Sequence, residues 1–281
     1  MSNADLSAPS LSVRVIEPRR GWLAINWAEI WRYHELLYFL AWRDVTVRYK
    51  QTVFGILWAF IQPFLKLVVF SVIFGGLAKI DSEGFPYPIF VYAGLLPWQF
   101  FSESLARSSS SVAGSANLIT KVYFPRLIVP LSSTGACLVD FVISFAILFG
   151  LMLWYGVPIT LSTLAILPLV VVTIVAALGA GILLSAFNVA YRDFQYIIPF
   201  GIQIWFFLTP VVYPVSAIPG KWQWLLALNP MTGIVDAYRS AILGKPFAWD
   251  HMAVSILVTA VVFAAGLFCF RRMESSFADV V

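Results

Sequence analysis

Long apolar stretches separated by short polar gaps set the pattern of this chain. Runs near residues 54–78, 87–110, 127–154, 162–187, 196–213 and 249–270 are dominated by Leu, Ile, Val, Phe and Ala, and nearly all charges fall between them. A helix needs roughly 20 apolar residues to cross a hydrocarbon core about 30 Å thick, so the pattern predicts six spanning helices. The second is interrupted by Gly94-Leu95-Leu96-Pro97 and the fifth is the shortest of the six. Helix is the expected form throughout, because backbone in lipid must satisfy its own hydrogen bonds.

The gaps have patterns of their own. After a polar tail over 1–21, the residues Trp27, Ile30, Trp31, Leu37, Tyr38, Ala41 and Val45 recur at helical spacing among charges, which predicts an amphipathic helix over 22–50 lying in the headgroup layer. Asp44 and Arg48 stand four apart in the favourable order. Two readings stand: a passive interfacial anchor, or a surface that also docks a cytoplasmic partner through Arg43 and Arg48. The gap from Arg107 to Arg126 is too polar to face lipid. Its second half puts Leu118 and Val122, with Tyr123, on one helical face beside Lys121, until Pro125 stops the helix; such a helix could carry force into the next span. Residues 214–248 alternate Pro-rich turns with apolar pieces too short to span. Pro219-Gly220 and Asn229-Pro230 are turn signals, and Thr232 is the expected cap of a helix through Asp236 and Arg239. The expected geometry is two short re-entrant helices between spans five and six, roofing a pathway.

Composition agrees with the pattern: 60% hydrophobic residues against 11% charged, in 281 residues, exceeds what a globular core could hide. The fold class expected is therefore an all-α integral membrane protein, with a transmembrane domain over 51–272 and a cytoplasmic tail over 273–281. In the six-span arrangement Lys79, Lys221, Arg239 and Lys245 lie outside and Lys66 lies within a span, while every other basic residue of the 18 falls on one side. The positive-inside rule makes that side, and both termini, cytoplasmic. Basic flanks attract anionic headgroups, so the net charge of +4 needs no nucleic-acid partner. Residues 1–20 show no apolar signal-peptide core, so the first span is expected to serve as the insertion signal. Cys137 and Cys269 fall in apolar spans and read as packing residues, and His34 and His251 have no ligand partner at metal spacing. No metal site is expected.

The chemistry-bearing motifs are few. Neither Gly220-Lys221-Trp222 nor Gly244-Lys245-Pro246 belongs to a phosphate loop, and there is no nucleophile elbow, paired-His metal motif or Gly-rich dinucleotide turn. The chain reads as a non-enzyme, whose energy a partner must supply. The ionisable residues inside spans are Lys66, Glu103 and Asp140, each costing at least about 2.5–3.5 kcal/mol at a helix centre. Lys66 is too deep to snorkel easily, so it calls for pairing or a hydrated lumen; Glu103 is placed to pair with Arg107; Asp140 has no partner identifiable from spacing. Most aromatics fill cores or mark interfaces, yet flat rings also suit the C–H faces of sugars, and Gln62, Gln99 and Gln203 offer hydrogen bonds without fixed charge. On that reading Trp58, Gln62, Trp98, Phe101, Gln203 and Phe207 are candidates to line a glycan conduit, with Lys66 on the same path. Ala176, Ala177, Gly179, Ala180 and Gly181 permit close helix approach in the fourth span, with a role in dimerisation as one option.

Several phrases together resemble the permease subunit of ABC-2 type polysaccharide exporters, the group that exports O-antigen, capsule and teichoic acid. They are Asp44-Val-Thr-Val-Arg-Tyr-Lys-Gln-Thr-Val-Phe-Gly-Ile-Leu-Trp-Ala-Phe-Ile-Gln-Pro63, then Gly94-Leu-Leu-Pro-Trp-Gln-Phe-Phe-Ser-Glu103, then Asn117-Leu-Ile-Thr-Lys-Val-Tyr-Phe-Pro-Arg126, then Tyr213-Pro214 through Asn229-Pro-Met-Thr-Gly-Ile-Val-Asp-Ala-Tyr-Arg239. The order and topological positions carry the resemblance, which covers about residues 36–272.

The resemblance implies a half-transporter in the bacterial inner membrane. Two copies of the chain would form a channel for a lipid-linked glycan, and two copies of a separate ATPase, which binds ATP and Mg, would sit beneath it. The permease itself would bind no cofactor. Asn117, Lys121, Phe124 and Arg126 would couple to the ATPase together with the preceding interface helix. The outer helices, with Tyr213, Pro214, Trp222, Asn229, Pro230 and Arg239, would form a periplasmic gate, and the first and fifth spans would line the channel. An ABC-2 exporter of small molecules or lipids would share the six spans. A membrane transferase would need clustered catalytic groups, for which Asp81 with Glu83 is the one tight acidic pair. A secondary carrier would show repeated halves.

Overall fold

The computed structural model describes residues 27–50, 54–274 and 277, and all the regular structure in it is helical. The expected tail over 1–21, the start of the 22–50 helix and most of the 273–281 tail lie outside the described residues.

The described part of the segment expected as one helix over 22–50 is two helices, α1 (Trp27–Arg32) and α2 (His34–Tyr49), broken at Tyr33. After a 3-10 turn at Gly55–Leu57, α3 (Trp58–Phe70) continues as a wider π-helical stretch over Ser71–Leu77. Then come α4 (Tyr87–Gly114), α5 (Ala116–Lys121), α6 (Ile128–Trp154), and α7 (Ile166–Ala190), which a 3-10 turn at Leu161–Ala165 precedes. The chain ends with α8 (Phe194–Leu208), α9 (Gly220–Ala227), α10 (Pro230–Leu243) and α11 (Trp249–Met273). Four stretches, Gly55–Leu77, Ile128–Trp154, Leu161–Ala190 and Trp249–Met273, are long and apolar enough to cross a membrane. The other two expected spans correspond to α4, whose second half carries Glu103, Arg107 and a run of serines, and to α8, which has only 15 residues.

Local chemistry explains the breaks. Pro86 precedes α4 and Pro125 stands between α5 and α6, where proline cannot continue a helix. Asn229, not Thr232, caps α10: its side-chain oxygen accepts from the Met231 amide at 3.0 Å, and Pro230 takes the first helical position. Thr232 is buried within that helix. At the other end Gly244, at φ 71°, supplies the left-handed residue that terminates α10.

α4 is the hub. It packs against α7, α6, α10, α3 and α8, and residues from Ile89 through Phe101 build most of its share of the main core. The small residues of α7 are used inside the chain. A Cβ on Gly179 would stand 2.7 Å from Phe263 Cα, one on Gly266 would stand 2.5 Å from the Gly179 carbonyl, and one on Gly181 would meet Ser108 Oγ at 2.7 Å. Ala176, Ala177 and Ala180 are likewise buried. This stripe lets α7 approach α11 and α4 and leaves little for a second copy, which corrects its reading as a dimerisation surface. A second apolar cluster, with Leu40 of α2, Ile119 of α5, Phe124, Ile128 of α6, Ala186 of α7 and Phe270 of α11, closes the end of the bundle where α4 passes into α5.

Candidate functional site

Three regions hold the residues that the sequence singles out. The first is the exposed side of α3 and α8. In α3 only Ala59, Pro63 and Leu67 are buried, one turn apart, and in α8 only Ile198. Trp58, Gln62, Lys66, Gln203 and Phe207 are all exposed, and Lys66 makes no ion pair among the described residues. The two helices meet where Phe70 and Phe206 stand with ring centroids 5.3 Å apart, and Phe206 lies 5.7 Å from the Trp98 ring. Trp98 and Phe101 are themselves core residues, 5% and 0% exposed. Phe101 meets Trp205 edge-on at 5.1 Å. These two residues form the seat on which α8 rests and do not face outward with the others, because α4 is covered by neighbours.

The second region is the α5 end. Arg43 pairs with the adjacent Asp44 at 2.7 Å, so the expected Asp44–Arg48 pair does not form. Arg48 turns instead to Asp140 of α6, and the Tyr49 hydroxyl donates to the same carboxylate. Sequence spacing carries no sign of this partner. Glu103 and Arg107 do pair, at 2.5 Å. Helix α5 ends at Lys121 and Val122 is extended, so the expected apolar face through Leu118, Val122 and Tyr123 is not continuous. Ile119 and Phe124 point into the second cluster, while Asn117 and Lys121, one turn apart, are exposed beside Val122 and Tyr123. Arg126 donates from its guanidinium to the Glu274 carbonyl, tying this segment to the end of α11.

The third region is the opposite end, around α9 and α10. The Arg239 side chain is almost wholly buried, 1% exposed, and among the described residues no carboxylate stands at ion-pair distance from it. Its guanidinium donates to the carbonyls of Val211 (2.6 Å), Tyr213 (3.2 Å) and Phe90 (3.4 Å) and lies 3.8 Å from the centroid of the Phe90 ring. A rigid five-donor fork over an aromatic face is suited to gathering several backbone acceptors. Asn229 does a related job: its Oδ1 accepts from Trp205 Nε1 and its Nδ2 donates to Thr209 Oγ1, both at 2.9 Å. The Tyr213 hydroxyl donates to the Phe207 carbonyl at 2.9 Å. Pro214 and Pro230 are buried, whereas Trp222 is exposed beside Trp224 on α9. Glu83, in the loop before α4, accepts from Lys245 Nζ and from Ser216 Oγ, closing three connecting segments together. Burial pushes the Glu83 carboxyl up, but the hydrogen bonds from Lys245 and Ser216 and the charges of Lys245 and Arg239 outweigh it and hold the group below its usual value. The sequence pointed to Arg239 as an external charge; its burial was not legible, since only tertiary packing encloses it.

These regions offer aromatic and amide surface, the unpaired cation Lys66 among the described residues of α3, and two tied ends. Among the described residues no group of three or more His, Cys, Asp or Glu side chains could hold a metal. The fold and surfaces are those of a multi-pass helical membrane protein. Residues 35–243 match the family described as ABC-2 type transporter, and the chain belongs to that family. It is 32% identical over 251 residues, 88% of this chain and 96% of the other, to the O-antigen export system permease protein RfbA of Myxococcus xanthus. It is 27% identical over 248 residues, 88% and 95% of the two chains, to the protein of the same name from Klebsiella pneumoniae. To the polysialic acid transport protein KpsM of Escherichia coli it is 24% identical over 243 residues, 83% and 92% of the two chains.

Proposed function

We propose that this chain is the membrane-spanning permease subunit of an ATP-driven exporter that moves lipid-linked polysaccharide across the bacterial plasma membrane. The observation that carries the reading is the similarity to O-antigen and polysialic acid transport proteins over more than four fifths of the chain. Two copies form the conduit and two copies of a separate ATPase subunit drive it. The four apolar stretches together with α4 and α8 make six spans, with both termini cytoplasmic as the Lys and Arg distribution demands. The α5 end is then cytoplasmic, and Asn117 and Lys121 are its exposed contact points for the ATPase. Phe124 and Arg126 anchor that contact to the bundle. The exposed faces of α3 and α8, with Trp58, Gln62, Gln203 and Phe207, line the path. Helices α9 and α10 form the outer gate, in which Arg239 and Asn229 are struts and Trp222 faces the opening.

Force applied at α5 reaches the rest of the chain through the second apolar cluster and through α4, which continues directly from α5 into the core. Deleting the gene in its host tests the reading: long lipid-linked glycan should accumulate inside and disappear from the surface. Normal surface glycan with altered sensitivity to small toxic compounds would assign the chain to small-molecule export instead.

A further inference from the structure

Lys66 is the one charged residue of the stretch Gly55–Leu77. It stands at the centre of these 23 residues, about 16 Å from either end at helical rise. Its level relative to the bundle is marked by Gly75, which packs directly against Tyr87 at the start of α4; Lys66 lies some nine residues, or about 13 Å, deeper. Snorkelling from such a depth leaves the ammonium short of either interface.

Among the described residues it has no counter-charge at ion-pair distance. Of the carboxylates inside the bundle, Glu103 is engaged by Arg107 and Asp140 by Arg48 and Tyr49. Leu67 and Pro63 are buried behind it while Lys66 itself is exposed, one turn from the exposed Gln62 and two from the exposed Trp58. No other charged residue occurs in Gly55–Leu77 or in Phe194–Leu208. The exposed faces of α3 and α8 therefore carry one sign of fixed charge only. An ammonium held there is tolerable where it meets water and an anion, and intolerable against lipid.

We propose that Lys66 is an anion-binding site within the conduit, taking a phosphate or carboxylate group of the glycolipid in transit. The proposal rests on the export reading and narrows its substrate class: the translocated molecule carries negative charge in the part that passes α3. Trp58 offers a sugar-tolerant ring, Gln62 a neutral hydrogen-bonding group, and Lys66 a mobile point charge that attracts an anionic oxygen without the fixed bidentate grip of an arginine. Weak, exchangeable attraction suits a group that must enter and leave. The anion has two sources, the phosphate that joins glycan to lipid and an acidic sugar of the polymer.

The test uses the complete transporter, permease with its ATPase subunit, in lipid nanodiscs. ATPase stimulation is measured with three probes: a polyprenyl pyrophosphate carrying a neutral oligosaccharide, the same lipid carrying a uronic-acid oligosaccharide, and an uncharged polyprenyl glycoside. Lys66→Gln should raise the half-stimulating concentration of charged probes by about tenfold, the scale of one charge-assisted hydrogen bond, and leave the uncharged probe unaffected. Lys66→Arg should restore the response. A loss with both pyrophosphate probes assigns the lipid-linkage phosphate, and a loss with the uronic-acid probe alone assigns the sugar carboxylate. Equal responses of Lys66→Gln and the unaltered transporter to every probe overturn the site while leaving the export reading standing. Rescue of Lys66→Glu by Glu103→Lys also overturns it, by making Lys66 a salt-bridge partner between copies. No stimulation of the unaltered transporter by any of the three overturns the export reading, and the site with it.

Discussion

Arg48 and Asp140 join α2 to the apolar helix α6: the guanidinium at the end of α2 closes on the carboxylate of α6, and Tyr49 donates to the same group. Both side chains are mostly covered, at 17% and 28% exposure. The pair fixes where α2 leaves the bundle surface and hands the chain on to α3. A charge reversal at Arg48 would break this tie as well as any docking surface, so the exposed Arg43, paired with its half-buried neighbour Asp44, is the cleaner position at which to test docking.

Asp140→Asn should lower stability by about 1–3 kcal/mol, because it leaves a partly buried guanidinium short of a charged acceptor. Thermal unfolding in detergent, followed by size-exclusion chromatography, reads the loss. The exchange Arg48→Asp with Asp140→Arg should recover part of it; a double variant no better than the worse single one would show that the pair contributes only through its surroundings.

Arg239→Lys keeps the charge and removes the fork. An ammonium cannot reach the Val211, Tyr213 and Phe90 carbonyls together, so we expect a loss of about 2–4 kcal/mol and poor accumulation in membranes. An unfolding midpoint equal to that of the unaltered protein would refute the strut assignment.

The Glu83 clasp makes the α9–α10 end acid-sensitive. The carboxyl is held below its usual value of 4.5 in the folded chain, so its contribution is complete above that value and is lost as pH falls through the lowered one. Unfolding temperature should be flat from neutrality to about pH 5 on this account and should fall below it. Glu83→Gln should start lower and lose this acid-dependent component. An unchanged acid profile in Glu83→Gln would place the sensitivity elsewhere.

Gly233→Ala should force α10 from α11, since the added Cβ would stand 2.5 Å from both the His251 carbonyl and Ser255 Oγ. Overpacking of this kind costs about 1–3 kcal/mol. Ser255→Ala in the same chain removes one of the two clashes and the bond from the Gly233 amide, so it should relieve the defect only in part.

Lys121→Glu should leave unfolding unchanged, because the side chain is exposed, and should uncouple ATP hydrolysis from export. Simultaneous measurement of ATP turnover and glycan transport separates the two. Full export in this variant would remove α5 as the contact point.

The helices that stand out by apolarity were legible from the sequence. Gly55–Leu77, Ile128–Trp154, Leu161–Ala190 and Trp249–Met273 all fall within a few residues of the expected spans, because an uninterrupted apolar run is a local property. The glycan candidates split on a non-local one. Trp98 and Phe101 share the composition of Trp58 and Phe207, and only the enclosure of α4 by its neighbours makes them core. Arg48 with Asp140 and Arg239 with Val211 join residues distant in the chain, which spacing rules for a single helix do not reach. The Glu103–Arg107 pair, four apart on one helix, was legible for the same reason.

The composition of α4 also bears on how the protein is made. This helix fills the core, yet it is not among the stretches apolar enough to cross on their own. In the six-span arrangement it leaves the ribosome before α6, α7 and α10, the helices that enclose it. With Glu103, Arg107 and its serines uncovered, α4 partitions poorly into lipid at that moment. In that arrangement biogenesis would have to hold it at the insertion machinery until its later neighbours arrive, and a defect in α6 or α7 would surface first as a topological error in α4.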